Sequence, residues 1–267
     1  MSANCAYGCC RFGGKGNATC WGSYRVRSLL LRALGVALGV PLRKRSGRQG
    51  ASVIVNYARN HTAAKETVAA IEAEGSPALA VQAVLDGEAP VRALFDATLA
   101  AFGQVDILVN NAAVARFAPI SSVTEAEFDS TIAVNVKAAF FAIQQAALRM
   151  ADGRRIVSIS AAMTAVGYEN TVLYAGTKGA LEQFGQAAAK ELGKRGIVVN
   201  TVCPGATETE LYLGISTEAG GAAAAQRSPF GRIAKPDDIA DVVAFLCAPE
   251  ARWLSGETLR ANGAALF

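Results

Sequence analysis

Arg155-Ile156-Val157-Ser158-Ile159-Ser160, the helical stretch Leu173–Lys194 and the run Ile197-Val198-Val199-Asn200-Thr201-Val202-Cys203 decide the fold. A β-branched run, a crossover helix and a second β-branched run make the unit from which parallel sheets are built. Outward from that unit the same alternation continues. Further strands are predicted at Ser52–Tyr57, Ala78–Ala83, Val105–Asn110 and Thr258–Ala261, and further helices near Thr62–Ala73, Glu88–Ala101, Thr124–Met150 and Pro236–Ala248. Ser122-Val123-Thr124-Glu125 and Lys235-Pro236-Asp237-Asp238 supply the hydroxyl, early proline and first-turn acids of helix starts. The pattern predicts one α/β domain over residues 50–267, doubly wound around a parallel sheet, with no linker and no internal repeat.

The first 49 residues read differently, although Val26-Arg27-Ser28-Leu29-Leu30-Leu31 could form a strand. Residues 1–50 hold nine of the 26 basic side chains and no acid, the first acid being Glu66. The remaining 17 basic and 22 acidic side chains give residues 51–267 a net charge of −5, so the overall +4 implies no nucleic-acid partner for the domain. Four of the six cysteines, Cys5, Cys9, Cys10 and Cys20, also fall in this segment, with irregular spacing that does not suit a metal site. Cys203 and Cys247 sit in apolar stretches and read as buried free thiols, which points to a reducing, cytoplasmic setting. With 52% hydrophobic and 18% charged residues, the chain has the material for a sizeable core. The apolar run Leu29–Leu42 is broken by Arg32 and is too short for a bilayer span, so no membrane partner is expected.

Tyr174-Ala175-Gly176-Thr177-Lys178 carries the chemistry. On a helix this spacing puts Tyr174 and Lys178 on one face, where an ammonium stabilises a phenolate and the phenol can pass a proton to or from an alcohol. Alone, the pair reads better as an aromatic packed under a lysine stem. Its surroundings change that. Asn110-Asn111-Ala112-Ala113 ends one strand, Asn135 lies inside the helix that follows, and Pro204-Gly205-Ala206-Thr207-Glu208-Thr209 ends another strand, all where ligands sit in open α/β sheets. His61, the only histidine, stands at a strand-to-helix turn and reads as a solvated turn residue.

With these motifs in this order, and with Gly231-Arg232-Ile233-Ala234-Lys235-Pro236-Asp237-Asp238 and Trp253-Leu254-Ser255-Gly256-Glu257 beyond them, the chain from about Gly50 resembles the short-chain dehydrogenase/reductase family, near its 3-oxoacyl-carrier-protein reductase branch. The resemblance implies a Rossmann-type fold and a nicotinamide-dependent oxidoreductase that interconverts a small-molecule ketone and a secondary alcohol. It implies Tyr174 as proton donor, Lys178 as its partner and the holder of the nicotinamide ribose, and Asn135 as support for a water chain. Asn110 and Ala112 would line the cofactor path, and Pro204, Gly205, Thr207 and Thr209 would contact the carboxamide and diphosphate. Arg59, with no acid after Ser52–Tyr57, implies NADP over NAD. A homodimer or homotetramer is the family's expected assembly.

Three departures accompany the resemblance. Arg32, Ala33, Ala37 and Gly39 stand where a Thr-Gly-x-x-x-Gly-x-Gly turn is expected, leaving only Gly35 and Gly39, with Pro41 beyond. Val84 replaces the acid that contacts adenine, with Asp86 two residues late. The serine that orients a substrate carbonyl commonly stands 13 residues before the tyrosine, where this chain has Ala161; Ser160 is the first choice for that role and Ser158 the second. Residues 1–49 fit a product of an upstream frame shift, or less completely an organellar presequence. Either origin supports an alternative in which the chain is a catalytically silent relative that binds NADPH weakly. The segment Leu211–Ser228 reads as a mobile substrate lid.

Overall fold

The computed structural model describes residues 28–32 and 51–266. Seven strands form one parallel sheet among these residues: β1 (Ser28–Arg32), β2 (Ser52–Tyr57), β3 (Ala78–Gln82), β4 (Ile107–Asn110), β5 (Arg155–Ile159), β6 (Val198–Pro204) and β7 (Thr258–Ala261), in the order β3-β2-β1-β4-β5-β6-β7. The first strand of the doubly wound sheet is therefore supplied by residues 28–32. It lies between β2 and β4, with Leu31 opposite both Val55 and Val109. The expected glycine turn, with Gly35 and Gly39, and the rest of the segment 1–49 lie outside the described residues.

Both faces of the sheet are covered, which is why its strands are nearly continuous apolar runs. Val53, Val55, Val109, Val157 and Val202 face one core with Ile71 of α1 (His61–Glu72) and Ile239, Val243 and Leu246 of α8 (Pro236–Cys247). Ile54, Leu108, Ile156 and Val199 face the other. There they meet Phe95 of α2 (Glu88–Phe102), Ala142 of α4 (Ala138–Arg149) and Leu192 of α5 (Val172–Leu192). The chain winds outward in opposite directions from β1, through β2 on one side and β4 on the other. That reversal opens a crevice at the carboxyl ends of the strands.

Two predicted segments differ in detail. The helix expected over Thr124–Met150 is α3 (Glu125–Ile132), a π turn (Ala133–Lys137) and α4. The run Glu125–Arg149 is long and apolar enough to cross a bilayer by length and composition, but Ala138, Ala142 and Ala146 bury its second half in the core. The expected mobile lid contains two helices, α6 (Glu210–Leu213) and α7 (Glu218–Arg227), each capped by a threonine hydroxyl, from Thr209 and Thr217. Its alanines and glycines give no apolar period, so only the caps signalled helix.

Helix α5 lies close on β6. A Cβ added at Gly185 would stand 2.7 Å from the Thr201 hydroxyl oxygen, and both residues are buried. Gly185→Val is expected to lower stability by roughly 1–3 kcal/mol through overpacking, measured by urea unfolding; an unchanged midpoint would refute this close seam.

Candidate active site

The crevice brings together chain segments that are far apart in sequence. Asn110 ends β4, Ala161 follows β5, Pro204 ends β6, and Tyr174 is the third residue of α5. The first turn of α5 points at the end of the strand it has just left, so Tyr174 and Lys178, four residues apart, share the helix face turned toward β5. Lys178 Nζ donates to Ile159 O at 2.8 Å. The same ammonium lies over the Tyr174 ring, 5.7 Å from its centroid, while Phe117 tilts against that ring at 5.6 Å.

Tyr174 is 8% exposed, and its hydroxyl makes no hydrogen bond among the described residues. Burial pushes its ionisation up to about 12, because the phenolate would lose its water. Tyr174 is thus a protonated phenol across neutral pH. It borders a cavity of about 380 Å³ whose other walls include Phe117, Met163, Tyr168, Leu211 and Tyr212. Tyr168 also meets the Arg227 guanidinium at 5.6 Å, which ties α7 across the cavity mouth.

Ser160, the expected carbonyl-orienting residue, lines the cavity beside Tyr174. Its hydroxyl reaches Lys178 O at 3.1 Å and Glu182 Oε1 at 2.6 Å. Thr164 Oγ1 donates to the same carboxylate oxygen at 2.6 Å. Ser160 and Ala161, the latter extended at φ −151° and ψ 140°, both lie along the cavity wall at the end of β5. Ser158 is no substitute, because it is fully buried with Asn110 Nδ2 at 3.5 Å.

Asn135 is buried in the π turn, and its side chain serves as a clamp. Oδ1 accepts from Val114 N at 2.8 Å, and Nδ2 donates to Val114 O at 2.9 Å and Thr177 Oγ1 at 3.0 Å. Both amide protons are committed to protein, so the side chain offers none to the expected water chain. Asn110 and Ala112 do not border the cavity; their neighbours Asn111 and Ala113 do.

The segment after β6 does border it, through Pro204, Gly205, Thr207 and Thr209. Gly205 is required by the loop after β7, since a Cβ there would meet Asn262 Cα at 3.0 Å. Thr207 Oγ1 donates to Gly205 O at 2.9 Å. Arg59 stands exposed in the turn after β2, next to the β3 end where Val84 is 53% exposed and Asp86 is also exposed. His61 is not simply solvated, because its Nδ1 lies 2.7 Å from the Tyr57 hydroxyl.

Glu182 is the important residue missed in the sequence. It follows Tyr174 and Lys178 at the next step of four along α5, and that spacing was available as a signal. Its oxygen also lies 3.5 Å from Cys203 Sγ. Burial first, and then the Glu182 charge, push the Cys203 thiol up to about 12.

Comparison with known proteins follows this geometry. The family model described as enoyl-(acyl carrier protein) reductase matches residues 35–263. An uncharacterised oxidoreductase of Methylorubrum extorquens is 40% identical over 231 residues, covering 85% of this chain and 92% of that protein. Versicolorin reductase of Emericella nidulans is 35% identical over 246 residues, covering 88% of this chain and 92% of that protein. The crystal structure of the angucycline C-6 ketoreductase LanV with bound NADP superposes with a TM-score of 0.84 at 38% identity, covering 90% of this chain and 95% of that one.

Because burial alone raises the Tyr174 ionisation, Tyr174→Phe is expected to leave the near-ultraviolet phenolate titration unchanged through the ordinary tyrosine range near pH 10. Loss of a titration step there would place the phenol in water.

Proposed function

Since the chain belongs to the short-chain dehydrogenase/reductase family, we propose that it is an NADP-dependent reductase of small-molecule ketones. The observation that carries this is the buried Tyr174 hydroxyl, unpartnered among the described residues, at the edge of an apolar cavity, with the Lys178 ammonium beneath its ring.

The described residues fit the nicotinamide end of such a cofactor. Asn110 Oδ1 is buried at the crevice with no partner among the described residues, Lys178 can offer its charge to a ribose, and Gly205 keeps the floor after β6 open. Arg59, exposed beyond β2, would face the adenosine 2′-phosphate. When bound, NADPH would supply the hydride. Tyr174 gives its proton to the carbonyl oxygen as the alcohol forms. Lys178 then faces the resulting phenolate, and solvent restores the proton. Asn135 holds the Val114 loop and Thr177 of α5 together, so that Phe117 and Tyr174 keep their relative placement.

A second reading stays in view because of one observation. Residues 33–50 carry Gly35, Gly39, Gly47 and Gly50 as glycines, bulkier residues stand where the other turn glycines are expected, and Pro41 interrupts the following stretch. A pyrophosphate cradle built from backbone N–H groups needs close approach. In this reading NADPH binds weakly, and exchanging residues 1–49 for a family-typical strand and glycine turn restores binding. Association into homodimers or homotetramers is also proposed, through the exposed Phe140 that packs edge-on against Phe141 and Phe184.

Calorimetric titration with NADPH and NADH tests the cofactor assignment. NADPH is expected to bind more tightly, with the gap narrowing in Arg59→Ala; equal affinities in the unmutated chain would refute the 2′-phosphate role. For the chemistry, Tyr174→Phe is expected to lower ketone turnover by about 10²-fold or more while leaving the melting temperature nearly unchanged. Retained turnover would move the proton donor elsewhere.

A further inference from the structure

Three donors converge on one carboxylate oxygen behind the cavity wall. Glu182 Oε1 takes the Ser160 hydroxyl at 2.6 Å, the Thr164 hydroxyl at 2.6 Å and the Cys203 thiol at 3.5 Å. Ser160 also borders the cavity beside Tyr174, so this carboxylate stands one hydroxyl away from a bound ketone. A serine hydroxyl has a single proton. While that proton points at Glu182, Ser160 shows a ketone oxygen only lone pairs. If it swings to the ketone, two oxygens 2.6 Å apart are left with no proton between them, and one of them carries charge. Such a contact is repulsive, the more so where the carboxylate is half-buried. It is kept only when a second proton, on the carboxyl itself, is donated back to Ser160.

We propose that Glu182 is a positioning residue for the reduction: by taking up a proton as the ketone binds, it turns the Ser160 proton from the carboxylate to the ketone oxygen. The proposal rests on the ketone-reductase reading above. Thr164 goes on donating to the same oxygen and holds the carboxyl in place, and partial exposure lets Glu182 exchange protons with solvent. In the reaction, hydride adds to the carbonyl carbon, the C=O π pair moves to oxygen, and the Tyr174 proton completes the alcohol. The Ser160 proton stays on Ser160, bonded to that oxygen while negative charge builds there. When the alcohol leaves, Ser160 turns back to Glu182 and the carboxyl returns its proton to solvent. The ionisable groups around the pair are Tyr174 and Lys178, earlier on α5, the Cys203 thiol of β6, and Arg260 of β7, whose charge acts on that thiol. Residues 156–167, at the end of β5 and beyond it, bring no ionisable side chain. The π turn and α4 meet α5 through Thr177 and Phe184.

Ketone binding then takes up a proton, which calorimetry reads when one titration is repeated in buffers of low and high ionisation enthalpy, phosphate and Tris. With the full chain and 1-tetralone as the probe, the heat is expected to differ between the buffers by up to about one proton per ketone. Glu182→Gln and Ser160→Ala are each expected to abolish the difference. A carboxylate that only braces the wall would take up no proton. With NADPH, kcat/KM for 1-tetralone is expected to fall by roughly 10-fold or more as pH rises from about 6 to about 9, because the protonated carboxyl is the form that turns Ser160 to the ketone. Tyr174, pushed up to about 12, keeps its proton over that range and adds no slope. In Glu182→Gln the profile is expected to flatten, since an amide N–H stands where the carboxyl proton would, and in Ser160→Ala it flattens because the hydroxyl through which Glu182 acts is gone. Buffer-independent heats in the unmutated chain, or an uptake or pH fall that survives in either folded variant, overturn the proposal and leave the reductase reading standing. Should Glu182→Gln fail to fold, Ser160→Ala decides. Absence of 1-tetralone reduction, even when residues 1–49 carry a family-typical glycine turn, overturns both.

Discussion

The hydrogen bond from Lys178 Nζ to Ile159 O, 2.8 Å long, is the constraint on which the site depends. It joins the first turns of α5 to the last residue of β5, where the sheet ends and a carbonyl would otherwise lack a partner. An ammonium taken out of water without such a partner would cost several kcal/mol. The cheapest arrangement of Lys178 is therefore the one that draws α5 down onto the strand end and lays the Tyr174 ring across the lysine. Ser160 and Glu182 reinforce the seam one turn further along, and Gly185 lets the helix continue close to Thr201.

The far side of the ring is set by a different device. The π turn at Ala133–Lys137 breaks the regular helix and brings Asn135 to the Val114 backbone. An asparagine side chain has the same donor and acceptor as a peptide group, so it pairs with Val114 N–H and C=O much as a neighbouring strand would. Its second amide proton goes to Thr177, which in turn donates to Tyr174 O at 2.7 Å. The loop after β4, the broken helix and α5 are thus one hydrogen-bonded unit. Phe117 rides on that loop, so the two aromatic walls of the cavity are fixed relative to each other by polar contacts behind them.

Most of this was legible from patterns that depend on local sequence. The βαβ alternation located six of the seven strands to within two residues, because a sheet buried on both faces must be written in β-branched runs. Tyr174 and Lys178 were legible because four residues along a helix is a fixed geometry. What escaped was whatever depends on side-chain direction at a chain reversal. Ser160 and Ala161 are adjacent and both reach the cavity wall, but only the structure shows that the Ser160 hydroxyl is also bonded to Lys178 O and Glu182. Asn135 was legible as a buried polar residue in a helix, but the π turn that redirects it to Val114 has no sequence period of its own. Glu182 was hidden by its ordinary appearance as one more acid on a long helix.

A buried phenol held up to about 12 also fixes the protonation state from which the site starts. To work on an alcohol, Tyr174 must first be a phenolate, and at neutral pH its buried surroundings keep that form rare. To work on a ketone it need only hold its proton, which it does in nearly every molecule. Lys178 does not reverse this before the reaction, because its ammonium lies over the ring and donates to Ile159 O. It becomes useful afterwards, when the phenolate exists and a nearby positive charge lowers its energy. The same burial that makes the phenolate rare keeps the proton available to a ketone, so the protonated state of Tyr174 at neutral pH is the one that the reductive half of a reversible reaction starts from.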